Sequence, residues 1–203
     1  AAQTIKGAAF VGFGQEGLLG RSPIAFSQAG DSTGSSVKKN AISASKNRCV
    51  HISGSDNIEV HDNVAYDTLG HCYALQEGTE TGNAFVGNLG ALTRKASTLI
   101  AGESDDTDPA TFYISAPGNA WSSNVAGGSE SSGFLFDTLS TDSVTSFADN
   151  IAHSNLIAGV NTESYNPSAA TTLSNTKAFR NNGSGLRLGS SSNIVLDGGY
   201  AAD

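Results

Sequence analysis

Residues 40–43 read NAIS, residues 63–66 read NVAY and residues 88–91 read NLGA, and this recurring motif decides the fold. Three further copies follow at 124–127 (NVAG), 150–153 (NIAH) and 175–178 (NTKA). The asparagines that open the six copies are 23, 25, 36, 26 and 25 residues apart. A period of this length, repeated along a whole chain, is typical of a solenoid in which each repeat stacks on the next.

Apolar residues recur at fixed distances from each asparagine. The position three residues before it holds Val37, Val60, Phe85, Trp121, Phe147 or Thr172. The positions ten and twelve residues after it hold Val50 and Ile52, Tyr73 and Leu75, Thr98 and Ile100, Phe134 and Phe136, or Val160 and Thr162. Counting in the same way from Gly14 gives Ile24 and Phe26, and the last copy gives Gly185 and Arg187. Residues two apart in a strand share one face, so each pair predicts a strand with one face inside the stack.

The period and the three apolar positions predict an all-β fold, a right-handed parallel β-helix of roughly eight coils that spans residues 1–203 as one segment. Adjacent coils in such a stack lie about 4.8 Å apart, so equivalent residues form ladders. Asparagine suits a ladder because it tolerates turn conformations and its amide bonds to the next rung. The alternative is an antiparallel sandwich with asparagine-rich turns, but its hairpins would not repeat a three-position pattern.

The charge of the chain excludes two classes of partner. The 203 residues carry 11 Lys and Arg against 19 Asp and Glu, a net charge of −8, whereas nucleic acids and anionic membranes attract clustered cations. No run of eighteen apolar residues is present, so we expect no membrane insertion by this segment. Residues 1–14 enter a strand-like pattern at once, which indicates a mature or excised part of a longer protein.

The repeat between Asn88 and Asn124 is about ten residues longer than its neighbours, which predicts a protruding loop. Its acidic residues are Glu103, Asp105, Asp106 and Asp108. Calcium binding by this 103–108 loop is one interpretation, although the spacing lacks the order of an EF-hand and also fits a solvated loop. We expect no other cofactor.

The residues between the inward pairs are expected to point outward and to form a stripe along one sheet. Successive coils place there Ala25 and Ser27, His51 and Ser53, Ala74 and Gln76, Leu135 and Asp137, and Asn161 and Glu163. Enzymes that cut polysaccharides need paired carboxylates, or a histidine beside a carboxylate, at such a place. The stripe offers Asp137 stacked on Glu163, and His51 flanked by Ala25 and Ala74. We therefore assign no catalytic residue outright and predict an open surface without a metal or a tight acid–base pair.

Those outward positions define the candidate site residues. Asp137, Glu163 and His51 are the only catalytic candidates. The residues predicted to contact a ligand are Ser27, His51, Ser53, Gln76 and Asp137. His61, His71 and His153 fall on other positions of the repeat, so no metal site with three or four converging ligands is predicted.

Two further features concern covalent chemistry. Cys49 and Cys72 are 23 residues apart, one coil period, so their side chains are expected to be neighbours either as a disulfide or as two free thiols. Asn182, with Gly183 and Ser184, forms a sequon for N-linked glycosylation.

Several segments resemble one protein family, the β-helix region shared by fibrocystin-like receptors and the hyaluronan-degrading proteins related to transmembrane protein 2, also called the cell-migration-inducing hyaluronidase family. These segments are GQEGLLGRSPIAF (14–26), NRCVHISGS (47–55), NVAYDTLGHCYALQEGTETGN (63–83), NLGAL (88–92), PATFYISAPGNAWSSNVAGGS (109–129), GFLFD (133–137) and NIAHS (150–154). The resemblance implies a parallel β-helix within a large extracellular or cell-surface protein. Residues beyond about 158 carry none of these motifs, and their assignment to the β-helix depends on periodicity alone.

The departures from the family pattern point away from catalysis. Where the hyaluronan-degrading relatives carry histidines, this chain has Ala25, Ser27 and Ser53, and an expected acidic pair reads Gln76 and Glu77. We therefore favour a non-enzymatic extracellular or cell-surface module, either structural or binding a glycan or protein. Its expected partners are the other domains of the same large protein, with a glycan ligand, a protein ligand or assembly into filaments as further alternatives. The competing hypothesis is a polysaccharide depolymerase, of the hyaluronan-degrading kind, acting in the outward groove.

Overall fold

A computed structural model describes residues 1–100 and 107–202 and shows a parallel β-helix of about seven turns. Each turn contributes one short strand to each of three parallel sheets. Every strand inside a sheet pairs with the strands one coil before and one coil after it, and the strands at the two ends of a sheet pair on one side only. The prediction of an all-β parallel β-helix is therefore confirmed, and the predicted count of roughly eight coils is close to the observed one.

The strands are numbered β1 to β23 along the chain. Sheet 1 contains β1 (Thr4–Lys6), β4 (Ser36–Lys38), β7 (Glu59–His61), β10 (Ala84–Val86), β13 (Ala120–Ser122), β16 (Ser146–Ala148), β19 (Thr171–Ser174) and β22 (Ile194–Asp197). Sheet 2 contains β2 (Ala9–Val11), β5 (Ala41–Ser45), β8 (Val64–Leu69), β11 (Leu89–Arg94), β14 (Val125–Gly127), β17 (Ile151–His153), β20 (Lys177–Phe179) and β23 (Tyr200–Ala202). Sheet 3 contains β3 (Ile24–Asp31), β6 (Val50–Asp56), β9 (Tyr73–Leu75), β12 (Ala110–Ile114), β15 (Ser132–Phe136), β18 (Ala158–Asn161) and β21 (Ser184–Arg187).

A buried asparagine ladder marks the corner between sheets 1 and 2. The backbone N–H and the side-chain amide of Asn40 both donate to Oδ1 of Asn63, at 3.0 and 2.9 Å. The same pair of bonds repeats on the next three steps, which involve Asn63, Asn88, Asn124 and Asn150. Each amide also donates to a backbone carbonyl of the preceding coil, as Asn124 does to Phe85 at 2.8 Å. The predicted ladder is confirmed for these five asparagines.

The core is a set of stacked apolar side chains inside the coils. On sheet 1, Val60, Phe85, Trp121 and Phe147 lie in one line, and the rings of Phe85 and Trp121 stack with centroids 4.1 Å apart. On sheet 3, the rings of Tyr73, Phe112 and Phe134 stack at 4.9 and 4.7 Å. Since all of these side chains are buried, hydrophobic burial along the axis stabilises the stack.

Two register predictions were wrong. Thr98 and Ile100 do not occupy the sheet 3 strand of their coil, because the extra residues precede that strand, and Phe112 and Ile114 of β12 pair with Tyr73 and Leu75 instead. In the last full coil, Ile151 pairs with Lys177, which puts Thr176 rather than Asn175 next to Asn150. The shift of one residue replaces Thr172 by Leu173 and Gly185 by Leu186 at the inward positions, so the apolar pattern continues there.

Cys49 and Cys72 are neighbours on adjacent coils, with Cα atoms 4.6 Å apart, and they form a disulfide. Both residues are fully buried, directly before the inward residues Val50 and Tyr73 of sheet 3. The bond joins two coils that also share the hydrogen bond from Cys49 N to Cys72 O at 2.8 Å.

Candidate functional site

The outer face of sheet 3 carries two columns of side chains, one residue per coil. The first column contains Ala25, His51, Ala74, Tyr113, Leu135, Asn161 and Arg187. The second contains Ser27 and Ser53 on paired strands, and continues past the strand ends with Gln76, Ser115, Asp137 and Glu163. The strand alternation predicted from the sequence thus places His51 between Ala25 and Ala74, as expected.

The prediction that this stripe is an open surface was wrong in its middle. Ala25 and Ser27 are exposed, but His51 is only 1% exposed, Ser53 4% and Ala74 0%. Arg48, a residue outside the stripe, lies on the same face near His51 and is itself 1% exposed. Its guanidinium reaches Oε1 of Gln76, so its side chain runs past His51 from the start of β6 to the end of β9.

This burial changes the acid–base character of two histidines. Burial and the neighbouring Arg48 guanidinium lower the pKa of His51 to about 3, and contact with Gln76 opposes this only in part. Burial and Arg48 also hold the pKa of His71 well below its usual range. His51 is therefore an uncharged side chain at neutral pH, which removes it as a poised general acid.

His71 is held in one tautomer and linked to the open part of the face. Its Nδ1 accepts a hydrogen bond from the backbone N–H of Ala110 at 3.0 Å, so the proton of the neutral ring is on Nε2. Its ring stacks on Tyr113 with centroids 4.0 Å apart, and the Tyr113 hydroxyl donates to Asp137 at 3.0 Å. Tyr113 thus lies between a buried histidine and an exposed carboxylate.

Two cavities open beside Asp137. The first, of about 380 Å³, is lined by Gln76, Glu77, Gly78, Tyr113, Ser115, Asp137, Thr138, Leu139 and Ser140. The second, of about 450 Å³, is lined by Asp108, Ser131, Leu135, Phe136, Asp137, Ile157, Asn161, Glu163, Ser164 and Arg187. Because Asp137 belongs to both, we call the two cavities together the sheet 3 groove. The groove crosses the coils of β9, β12, β15, β18 and β21, a length of about 19 Å at about 4.8 Å per step.

The carboxylates of the groove are each held by a different partner. Glu163 pairs with Arg187 at 2.7 Å, whereas Asp137 accepts the bond from Tyr113. At the other end, Glu77 accepts hydrogen bonds from Ser53 at 2.7 Å and Gln28 at 3.3 Å. Of the predicted binding residues, Gln76 and Asp137 line the groove, Ser53 supports its end through Glu77, and Ser27 lies on an exposed strand outside it.

The predicted calcium loop lies mostly outside the residues that the structure describes. Glu103, Asp105 and Asp106 of the proposed calcium loop lie outside the described residues, and Asp108 is 3.7 Å from Lys95. Within residues 1–100 and 107–202, no three His, Cys, Asp or Glu side chains gather in a way that would hold a metal ion. His51, His61 and His153 belong to sheets 3, 1 and 2 respectively. The described part of the chain also has no helix long and apolar enough to cross a membrane.

Sequence reasoning missed three residues of this face. Tyr113 and Ser115 were displaced from the predicted stripe because the long insertion hid the register of β12. Arg48 was missed because it lies in a turn, two residues before the strand. The sequence signals for Arg48 were its position beside Cys49, which is held by the disulfide, and its place in the family segment 47–55.

Comparison with known proteins identifies this architecture. Residues 1–145 match the family model described as the CEMIP beta-helix, and they include β1 to β15 and the first cavity of the groove. The chain belongs to the CEMIP β-helix family. The CEMIP β-helix therefore supplies the scaffold, and the predicted family resemblance is confirmed.

Individual relatives of this CEMIP β-helix bear names of three kinds. The chain is 34% identical over 191 residues to the "Cell surface hyaluronidase" of Danio rerio, covering 72% of the chain and 14% of that protein. It is 32% identical over 147 residues to "Fibrocystin-L" of Mus musculus, covering 72% of the chain and 3% of that protein. A "G8 domain-containing protein" of Dictyostelium discoideum is 33% identical over 149 residues, covering 66% of the chain and 10% of that protein. The chain thus spans a small part of each relative.

Proposed function

We propose that this chain is a non-enzymatic β-helix module of a larger cell-surface or secreted protein, and that its sheet 3 groove binds a glycan chain without cleaving it. The observation that carries the proposal is the state of the ionisable groups on sheet 3. His51 is buried with its pKa lowered to about 3, and the groove carboxylates Asp137 and Glu163 are bound to Tyr113 and Arg187. Among the described residues, this leaves the groove without a histidine that titrates near neutral pH beside a carboxylate, the arrangement that a general acid–base step would use.

The shape of the groove supports binding of an extended ligand. Two cavities that share Asp137 follow one another along the axis, over about 19 Å. Hydroxyl, amide and carboxylate groups line it together with Tyr113 and Leu135. Polar groups placed beside apolar surface are the usual means by which a site fixes the orientation of a ligand that carries many hydroxyl groups.

The charge of the groove favours a neutral glycan. Four carboxylates line the two cavities, those of Glu77, Asp108, Asp137 and Glu163. Arg187 is the only cation that lines either cavity within the described part of the chain, and it is paired with Glu163. A polyanion such as hyaluronan would be repelled here, while an uncharged glycan would accept and donate hydrogen bonds freely.

The larger setting is also inferred from the relatives. Two of them are named for the cell surface or as fibrocystin-like, and this chain covers 14% and 3% of their lengths. A disulfide buried between two coils fits an oxidising compartment. We infer an extracellular or cell-surface location and contacts with other domains of the same protein.

A second function, polysaccharide depolymerisation, has one observation in its favour besides the printed name of the zebrafish relative. The Tyr113 hydroxyl and the Asp137 carboxylate form a hydrogen bond at the wall shared by both cavities. A tyrosine and a carboxylate at this distance are able to pass a proton, so this pair is where cleavage would occur if the chain were an enzyme.

One experiment separates the two functions. The chain is titrated with fluorescent neutral oligosaccharides and with hyaluronan, and the length of each polymer is measured by size-exclusion chromatography after incubation. We expect binding of a neutral glycan, weakened about tenfold in Asp137→Ala, about 1.4 kcal/mol, and no change in polymer length. Asp197→Ala is the matched control, because Asp197 is an exposed carboxylate on sheet 1 and lines neither cavity. Shortening of hyaluronan that disappears in Asp137→Asn would overturn the non-enzymatic proposal.

A further inference from the structure

The corner between sheets 2 and 3 holds a short segment that the groove does not use, residues 181–184. Asn181 is an inward rung of a second asparagine ladder, which the sequence pattern did not reveal. Its Oδ1 accepts from the backbone and side chain of Asn155 at 3.1 and 2.9 Å, and its own amide donates to Ala152 at 3.1 Å. Asn181 is 5% exposed and makes these three hydrogen bonds, so its side chain points into the coil. Asn182, the next residue, is the first exposed residue of the turn.

Asn182 is exposed, and its position is set by its backbone rather than by its side chain. Its N–H donates to Asn155 O at 2.9 Å, and the N–H of Ser184 donates to Ile157 O at 2.9 Å. No hydrogen bond of the Asn182 side chain is formed within the described residues. The amide therefore faces solvent while both ends of the segment are anchored to the preceding coil.

Gly183 makes this turn possible. A Cβ atom at this residue would lie 2.1 Å from the carbonyl oxygen of Ile157, so the fold accepts no side chain there. The backbone of Gly183 lies against Ile157 of the preceding coil. Because Gly183 has no side chain, it does not shield the amide of Asn182. The sequence Asn182-Gly183-Ser184 thus meets the sequon rule with an exposed acceptor.

We propose that Asn182 carries an N-linked glycan when the chain is made in a eukaryotic secretory pathway. The side-chain nitrogen attacks the anomeric carbon of an oligosaccharide carried on a lipid pyrophosphate and forms a C–N bond. The C–O bond to the pyrophosphate breaks, the lipid pyrophosphate leaves with the electron pair, and the amide loses one proton. The proposal is independent of what the groove binds.

The position of the glycan has a consequence for how the module packs. Ile157, the residue in contact with Gly183, also lines the second cavity. The glycan would stand at the rim of the sheet 3 groove, on the corner between sheets 2 and 3. A bulky glycan at this corner would hinder a neighbouring domain from packing there and would direct domain contacts to the other faces.

A second asparagine supplies a matched control. Residues 166–168 read NPS, which has the sequon spacing but contains the proline that prevents modification. Asn166 is also exposed, yet its amide donates to Ser164 O at 2.9 Å and Ser190 O at 3.2 Å, and its Oδ1 accepts from Ser192. It is therefore an exposed asparagine that should stay unmodified.

The test is expression of the chain behind a secretion leader in cultured human cells, followed by digestion with peptide N-glycosidase F and mass spectrometry. We expect one glycan, located at Asn182 by its conversion to Asp on digestion, complete loss in Asn182→Gln and in Ser184→Ala, and retention in Ser184→Thr. Asn166 should remain unmodified in the same sample. Secreted chain in which the Asn182 peptide is recovered only in its unmodified form would overturn the proposal.

Discussion

Replacing Asn124 by Ala is expected to lower the free energy of unfolding by about 4 kcal/mol, the largest effect we predict for a single substitution. Oδ1 of Asn124 accepts from the backbone and the side chain of Asn88, and its amide donates to Phe85 O and to Asn150. The change removes all four bonds and leaves two buried donors of Asn88 without acceptors. Each unsatisfied buried group costs about 1–3 kcal/mol.

Urea unfolding followed by circular dichroism measures this loss. Asn182→Ala, in chain made in bacteria and so free of glycan, is the matched control. Since the Asn182 side chain is exposed and makes no hydrogen bond with the described residues, its loss should stay within about 0.5 kcal/mol. Equal losses in the two variants would show that the ladder does not stabilise the stack.

Removing the disulfide is expected to cost about 3 kcal/mol. In the oxidised chain the bond between Cys49 and Cys72 closes a loop with a sequence separation of 23 residues, which restricts the unfolded state. The double variant Cys49→Ala, Cys72→Ala loses that restriction and keeps the hydrogen bond between the two backbones. We expect its unfolding midpoint in urea to fall well below that of the oxidised parent.

The parent chain provides the accompanying readout. Because both sulfur atoms are engaged, the parent should show no reactive thiol in denaturant until a reductant is added. A loss of stability below about 1 kcal/mol in the double variant would contradict the role assigned to the bond. Two reactive thiols in the untreated parent would contradict the bond itself.

The parts of the fold that repeat were predictable from sequence. The spacing of Asn40, Asn63, Asn88, Asn124 and Asn150 fixed both the coil length and the line in which these residues stack. The same spacing placed Cys49 beside Cys72. Adding one coil period to a residue number gives its neighbour on the next coil, because the hydrogen bonds between coils keep equivalent residues in register.

The positions at which the repeat departs from its regular length were not predictable. The insertion between Asn88 and Asn124 is visible as a longer interval, but its place within the coil is not, so β12 and the residues Tyr113 and Ser115 were misplaced. A shift of one residue near Asn175 inverted inward and outward positions in the last coil, as expected for side chains that alternate.

The state of the site was the least predictable feature. Alternation placed His51 on the outer face, and from that position an open surface was inferred. The face also carries a residue outside the pattern, since the buried Arg48 extends along it to Gln76. A periodic pattern gives the direction of a side chain from the sheet and contains no information about which turn residues lie over it.

The lowered pKa of His51 predicts that the folded chain becomes less stable as the pH falls. The folded ring stays neutral down to a pH of about 3, while the ring in the unfolded chain takes up a proton below about pH 6.5. The contribution of His51 to the free energy of unfolding is therefore complete above about pH 6.5. It is lost as the pH falls from there toward about 3, by up to about 1.4 kcal/mol per pH unit. The lowered pKa of His71 acts in the same direction.

The central claim is that the histidine on sheet 3 is locked in the neutral form and serves the scaffold rather than acid–base chemistry. A nuclear magnetic resonance titration of histidine-labelled chain tests it directly, with His51→Gln to assign the signal and urea-unfolded chain as the reference. We predict that the His51 ring signal does not change between pH 8 and pH 5, while the unfolded reference titrates near pH 6.5. A His51 midpoint between about pH 5 and pH 8 would contradict the account, since such a ring exchanges protons where a catalyst would need it to.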